Sequence, residues 1–338
     1  MSKLHLLMAL ALLSLTVPAG VASADSVDPP RGTNGKLVFR SVKVGAGNTP
    51  DIWAVNANGR TEPRQVTCGF PPPPRGPGYN FVDMFGPAWS PDGQTIIFYR
   101  QEQSSAPPSD PRQYLYVIDT NDDCGPGTLL TEGRFADWSP VMNRIVFDRG
   151  SLGVRDIWVR ERDGTETNLT NDPGGRNTRA SWSPDGSKIA FASARGCIGN
   201  GELDLDIWVI NDDGSNLTRL TFDCADQVGH GNNGPHWSPD GQKIVFQSSR
   251  DSGDLEIYVM NADGSEPARL TNHKGTDANP KWAPDGRQIV FHRDVNDGTA
   301  PVRLQLFIIN ADGSDLSQLT GGQTINSFAA WGAGHDVP

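Results

Sequence analysis

The sequence predicts an all-β protein: a six-bladed β-propeller of four-stranded antiparallel blades, its ring closed by pairing of the C-terminal strand with the N-terminal blade. Three observations predict it. Trp89, Trp138, Trp182, Trp237, Trp282 and Trp331 recur at intervals of 44 to 55 residues, and self-similarity at such a period marks a solenoid or a propeller. The strands between them, such as Lys243-Ile244-Val245-Phe246 and Asp206-Ile207-Trp208-Val209-Ile210, are continuous apolar runs. Runs of that kind suit sheets covered on both faces. The two chain ends are also out of phase with each other in a complementary way.

The first residues read as an export leader. Lys3 gives the basic start, Leu6 to Val17 an apolar stretch, and Ala22-Ser23-Ala24 a small-residue cleavage site before Asp25. A stretch this short does not span a bilayer, and no cysteine near the cleavage point offers a lipid anchor. The organisation is thus 1–24 signal peptide and 25–338 propeller, secreted or periplasmic. The net charge of −11 becomes one unit more negative once Lys3 is removed. A field of that sign repels phosphate backbones, so nucleic acid is not an expected partner.

Each repeat then builds four strands, A to D. The A strand ends at the tryptophan. Asp92-Gly93, Asp185-Gly186, Asp240-Gly241 and Asp285-Gly286 supply tight A–B turns, where glycine accepts a positive φ at little cost. Phe39, Phe98, Phe147, Phe191, Phe246 and Phe291 mark the B strand, and Trp53, Tyr116, Trp158, Trp208, Tyr258 and Phe307 the C strand. Turns such as Asn261-Ala262-Asp263-Gly264-Ser265 lead to a short D strand ending in Leu-Thr. The first strand after the leader, Lys36 to Arg40, is of B type, and the last, Asn326 to Trp331, is of A type. Joining them completes a blade, brings the count to six and removes two exposed sheet edges.

The pattern W-S-P-D-G…I-x-F…D-I-W-V-x-N-x-D-G-S…L-T resembles the WD-like repeat of the TolB-type propellers, and covers nearly all of the chain beyond residue 24. Two copies depart from it. Trp138-Ser139-Pro140 runs into Val141-Met142-Asn143, and Trp331 into Gly332-Ala333-Gly334, without the Asp-Gly turn. The resemblance implies extracytoplasmic binding, usually of another protein, without chemistry. Only residues 25–35 precede the first strand, so the N-terminal α/β domain of TolB is not expected, nor is a hydrolase domain after Trp331. No G-x-S-x-G nucleophile elbow occurs.

Four cysteines in an exported chain point to disulfides. Cys197 and Cys224 fall in two loops of one repeat that share a face, and are expected to pair. Cys68 and Cys124 pair only by elimination, their halves starting from opposite faces; free thiols are the alternative. In an antiparallel blade the A–B and C–D turns lie on one face and the B–C and D–A loops on the other. The long insertions, such as Cys68 to Pro87, Gln101 to Gln113 and Phe222 to Gly234, belong to the second class. That face is where recognition is expected, with neutral loop drift as the bland alternative.

Asp83, Arg134, Arg179, Asn233, Asn279 and Asn326 precede the tryptophans by a few positions, where A strands should meet the central channel. Together with His230 and His236 they are the candidate ligand-binding set; a solvated channel lining is the competing reading. Arg40, Arg100, Arg149, Arg195, Arg250 and Arg293 recur near B-strand ends and are read as structural partners of acidic neighbours. No H-E-x-x-H, paired C-x-x-C or twelve-residue calcium loop is present, so neither metal nor other cofactor is expected. Asn168-Leu169-Thr170 and Asn216-Leu217-Thr218 fit the glycosylation triplet, but also the D strand's own pattern. The expected function is a monomeric, non-enzymatic binding propeller engaging a protein or envelope polymer. The competing expectations are a channel-sited metal-dependent enzyme of lactonase or uronate lyase type, and a module that assembles side by side.

Overall fold

The computed structural model of the protein describes residues 35–43, 50–56, 63–68, 79–104, 112–120, 124–151, 153–197, 204–226, 231–251, 253–296, 302–322 and 324–332. The leader assigned to residues 1–24 lies outside them, as do His230 and much of the long-loop face. Among the described residues no helix is long and apolar enough to cross a membrane.

Six four-stranded antiparallel sheets make up the fold. Blade 1 takes its A strand from the end of the chain, Thr324–Trp331, and its B, C and D strands from Lys36–Lys43, Asp51–Asn56 and Arg64–Gln65. The clasp is in register, with Leu37 opposite Trp331 and Val38 opposite Ala330. Blades 2 to 6 follow in chain order. Their A strands are Tyr79–Trp89, Arg134–Trp138, Asn177–Trp182, Asn232–Trp237 and Asp277–Trp282.

The packing explains the unalternated strands. Among the described residues the core divides into six apolar clusters, one for each pair of neighbouring blades. Ile207 and Val209 of blade 4, for example, pack with Trp237, Phe246 and Tyr258 of blade 5. The cluster that joins Val290 and Leu306 of blade 6 to Leu37, Phe39 and Trp331 of blade 1 shuts the ring. The column phenylalanines, from Phe39 to Phe291, are all essentially without solvent contact. Burying one such ring is worth about 1.5–3 kcal/mol.

The Leu-Thr signature has a specific cause. In blade 4, Thr221 Oγ1 accepts the Ile207 N–H at 2.9 Å and donates to Asp206 at 2.7 Å, while Asn232 of the next blade's A strand donates to the same carboxylate at 2.8 Å. Blades 1, 3, 5 and 6 repeat the threonine latch through Thr67–Asp51, Thr170–Asp156, Thr271–Glu256 and Thr320–Gln305. A buried polar group must find partners, and here the partners tie the D-strand end to the start of the C strand.

Both disulfides form, Cys197–Cys224 and Cys68–Cys124. The second joins residues placed on opposite faces by the simple blade diagram. Each step across a sheet adds roughly 20–25° of twist, so the outermost strand lies more across the axis than along it. The segment after the D strand of blade 1 thereby meets the C–D turn of blade 2, with Cys68 N–H donating to Gly125 O at 2.9 Å.

Candidate functional site

The six A strands line the axis, and every one of them carries a β-bulge. In blade 4, Thr178 faces Ala192 and Ser181 faces Ala190, so Arg179 and Ala180 together oppose the single residue Phe191. Blades 1, 2, 3, 5 and 6 repeat this opposite Phe39, Phe98, Phe147, Phe246 and Phe291. The first bulge residue is left-handed each time: Gly86, Phe135, Arg179, Gly234, Asn279 and Phe328, with φ between 47° and 61°. Glycine and asparagine adopt this region readily; phenylalanine and arginine do so at a cost on the order of 1–3 kcal/mol. Three of the four side-chain-bearing positions thus hold strain, and all four project their side chains at the axis.

The previous blade holds these residues in place. The backbone N–H of Arg179 donates to Asp148 Oδ1 at 3.1 Å, that of Asn279 to Gln247 Oε1 at 2.7 Å, and that of Phe328 to His292 Nδ1 at 3.5 Å. The side chains then close over one another. Phe328 packs edge-on to Phe85, with centroids 5.4 Å apart, and lies 6.2 Å from Phe135. The Arg179 guanidinium sits 4.3 Å from the Phe135 centroid and 5.7 Å from that of Phe328, within cation–π range. It also donates to Asn279 Oδ1. The result is an aromatic–arginine lid across the axis.

Two residues further along each A strand stands a second ring: Ala88, Asp137, Ser181, His236, Lys281 and Ala330. Its four polar members come from four consecutive blades. Asp137 Oδ2 accepts the Trp182 N–H at 3.1 Å, and His236 Nδ1 accepts the Trp282 N–H at 3.4 Å. An accepting Nδ1 leaves the ring proton of a neutral imidazole on Nε2. Lys281 belongs to the blade opposite Asp137, and the two interact electrostatically. These groups are enclosed by protein but keep partial solvent exposure, as groups facing a narrow channel do.

Burial sets the titration of the cluster. It raises the Asp137 carboxyl above its ordinary value, opposed by Lys281 and the Trp182 N–H. It lowers the Lys281 ammonium, with Asp137 opposing and Arg179 assisting. It holds His236 well below the usual imidazole range, helped by Lys281. His292, near the lid, is lowered to about 3 by burial, then by Arg179 and Arg40. Enclosure disfavours the charged form in each case.

The sequence-derived candidates divide accordingly. Arg179 and Asn279 meet in the lid and His236 lies in the polar ring. Arg134 pairs with the buried Asp148 at 2.6 Å and stacks on Phe135, bracing the lid from outside. Asn233 caps the bulge of blade 5, its Oδ1 accepting the Gly234 N–H at 2.7 Å. Asn326 is buried and bonded to Gln305 Oε1 at 3.0 Å, as a member of the threonine latch. The Asp83 backbone pairs with Gln101, while its side chain and His230 lie outside the described residues. Arg149, Arg195, Arg250 and Arg293 pair with Glu166, Asp172, Asp223 and Asp277, which is the structural reading of that column. Sequence reasoning missed Asp137, Ser181 and Lys281, and missed the aromatic lid. Proline inside a strand pattern was the available signal, because Gly86-Pro87, Gly234-Pro235 and Asn279-Pro280 mark bulges.

At the axis Asp137 and His236 offer ligand atoms, while the charge of Lys281 in the same ring opposes a cation. Among the described residues the single cluster with metal-ligand composition is Cys197, Asp206 and Cys224, and its cysteines are joined in a disulfide.

The closed ring of six four-stranded blades is a β-propeller, and its repeat is similar to that of the TolB-type propellers. Residues 224–337 match the family model described as the TolB beta propeller domain. An uncharacterized protein of Agrobacterium fabrum is 28% identical over 236 residues, 68% of this chain and 72% of its own. The crystal structure of TolB from Acinetobacter baumannii superposes with a TM-score of 0.65 at 20% identity, over 89% of this chain and 67% of that one. Enzymes carry the fold too. A puromycin-hydrolyzing peptidase of Mycobacterium tuberculosis matches with a TM-score of 0.52 at 14% identity, over 83% of this chain and 44% of that chain.

Proposed function

We propose that the protein is an exported, monomeric, non-enzymatic binding propeller that engages a protein or a cell-envelope polymer through its D–A/B–C face. The observation that carries this reading is the lid, in which Arg179, Phe135 and Phe328 are held in strained backbone towards the D–A end of the A strands, with Phe85 packed against Phe328. Rigid aromatic and arginine side chains at the centre of a surface are the composition of binding hot spots, and strain concentrates where function over-determines the backbone. Two disulfides fit an extracytoplasmic location, and the TolB-like fold supports a binding role.

The test is cross-linking mass spectrometry on the native envelope fraction, followed by affinity measurement with the partner it identifies. Cross-links should start from the D–A and B–C loops, and shortening 69–78 and 105–111 together should weaken binding at least tenfold. Equal affinity after shortening, or cross-links confined to the A–B/C–D face, would refute the proposal. The enclosed group of Asp137, His236 and Lys281 favours a second reading, a channel enzyme, since perturbed titratable groups gather at active sites. Stoichiometric metal in the purified protein would favour that reading over the first.

A further inference from the structure

Two successive clefts between blades, both on the A–B/C–D face, differ in what fills them. Arg144 and Lys188 each stand six residues after the tryptophan of their own blade. In the cleft between blades 3 and 4 the Arg144 guanidinium sits 4.6 Å from the Trp182 centroid, within cation–π range. It donates to Asp212 Oδ2 at 2.6 Å, and to Glu161 Oε1 and Gly186 O at 3.4 Å each. Arg144 is buried there, so the chain stoppers this cleft with its own arginine.

The cleft between blades 4 and 5 has the same construction without the stopper. Lys188 holds the place of Arg144, Trp237 that of Trp182, Gly241 that of Gly186, and Ala262 that of Asp212. The alanine withdraws the carboxylate that anchors the arginine one blade earlier. Lys188 is exposed and forms no ion pair among the described residues. What remains is a groove of about 380 Å³ with Pro184 and Trp237 among its walls. We propose that this groove receives an exposed arginine side chain of a partner protein.

Charge selects a cation. Asp185, Asp240 and Asp263 line the groove against the single ammonium of Lys188. Lys243 acts on Asp240 from outside the lining, with its Nζ donating to Asn261 Oδ1 at 3.3 Å. Asp240 and Asp263 spend Oδ1 on the N–H and hydroxyl groups of their own turns. Their Oδ2 atoms have no protein partner among the described residues, and a charged donor makes the stronger hydrogen bond to such an oxygen. Shape then selects the guanidinium, which is planar, weakly hydrated and stacks on an aromatic face, whereas an ammonium is a compact, strongly hydrated point charge. The occupied cleft next door shows the same pairing of guanidinium, tryptophan and aspartate within this chain.

The probe is an acetylated, amidated Gly-Arg-Gly peptide, titrated into the intact, oxidised protein. Counterparts carry lysine or the neutral isostere citrulline in place of arginine, and free arginine is a fourth ligand. The indole N–H signal of Trp237, assigned by its loss in Trp237→Phe, reports binding by NMR. The arginine peptide should shift that signal saturably, the lysine peptide should bind more weakly, and the citrulline peptide should not bind. Free arginine, whose carboxylate the acidic rim repels, should also bind more weakly than the peptide. The double substitution Lys188→Arg with Ala262→Asp rebuilds the stopper, and an intramolecular occupant should lower peptide affinity by about tenfold or more. Asp240→Asn and Asp263→Asn should each weaken binding about two- to fivefold, as loss of a partly exposed ion pair does. Asparagine keeps an Oδ1 for the turn, and thermal melts establish that each variant folds. Should the double variant not fold, these two decide. Absence of a saturable shift, equal binding of the citrulline or lysine peptide, tighter binding of free arginine, or full affinity in the rebuilt or asparagine variants would each overturn the proposal. The groove lies on the face away from the D–A and B–C loops. Shortening those loops should therefore leave arginine binding unchanged, so this experiment and the partner experiment fail separately.

Discussion

At the scale of single residues, the left-handed ring at the axis is the feature with the most consequences. Gly86 needs its missing side chain, because a Cβ there would stand 3.3 Å from Phe135 Cδ1 with φ at +57°. Gly86→Ala should therefore cost about 1–2 kcal/mol, read as a lower urea midpoint at unchanged slope. His292 gives the molecule a pH dependence of known sign. The unfolded chain takes up its imidazole proton near pH 6.5, whereas the folded chain resists until about 3. Stability from this group is complete above pH 6.5 and declines as pH falls towards 3, by roughly 1.4 kcal/mol per pH unit. His292→Gln keeps an acceptor for the Phe328 N–H and removes the titration. Its loss of stability between pH 7 and pH 4.5, measured by urea unfolding, should be smaller than that of the parent protein. Little of this was legible beforehand. Arg179 and Asn279 were found because polar residues ahead of a tryptophan are conspicuous. Asp137 and Lys281 were not, because closing the ring brings to one axis residues that are 144 positions apart in sequence, which no local pattern records.

At the scale of elements, the strands and turns were largely readable, because period, apolar runs and Asp-Gly turns act locally. Both departures from the turn motif resolve without loss of the hairpin or clasp. Ser139 N–H still donates to Arg144 O at 2.9 Å, and Gly332 N–H to Lys36 O at 2.7 Å. The threonine latch was visible only as the recurring letters Leu-Thr, since its partners sit on another strand. Thr221→Val tests it, leaving the Ile207 N–H without its acceptor and Asp206 without one donor. A destabilisation of about 2–4 kcal/mol is expected, measured by equilibrium unfolding. A change below about 0.5 kcal/mol would show that the latch is incidental. The disulfide between Cys68 and Cys124 eluded the blade diagram for a different reason, because strand order ignores the rotation that accumulates outward.

At the scale of the whole molecule, closure depends on one strand pair. Removing residues 324–338 would expose the edge of Lys36–Lys43 and uncover the apolar cluster between blades 6 and 1. The shortened protein should lose its single cooperative thermal transition and aggregate, as followed by calorimetry and light scattering. A retained sharp transition would mean that five and three-quarter blades suffice. The clasp also sets a timetable. Val38 emerges from the ribosome almost three hundred residues before Ala330, its eventual neighbour. One edge of the first strand must therefore stay unpaired while five blades assemble behind it, so the contact of greatest sequence separation, and the slowest to form, is the last that the emerging chain can make.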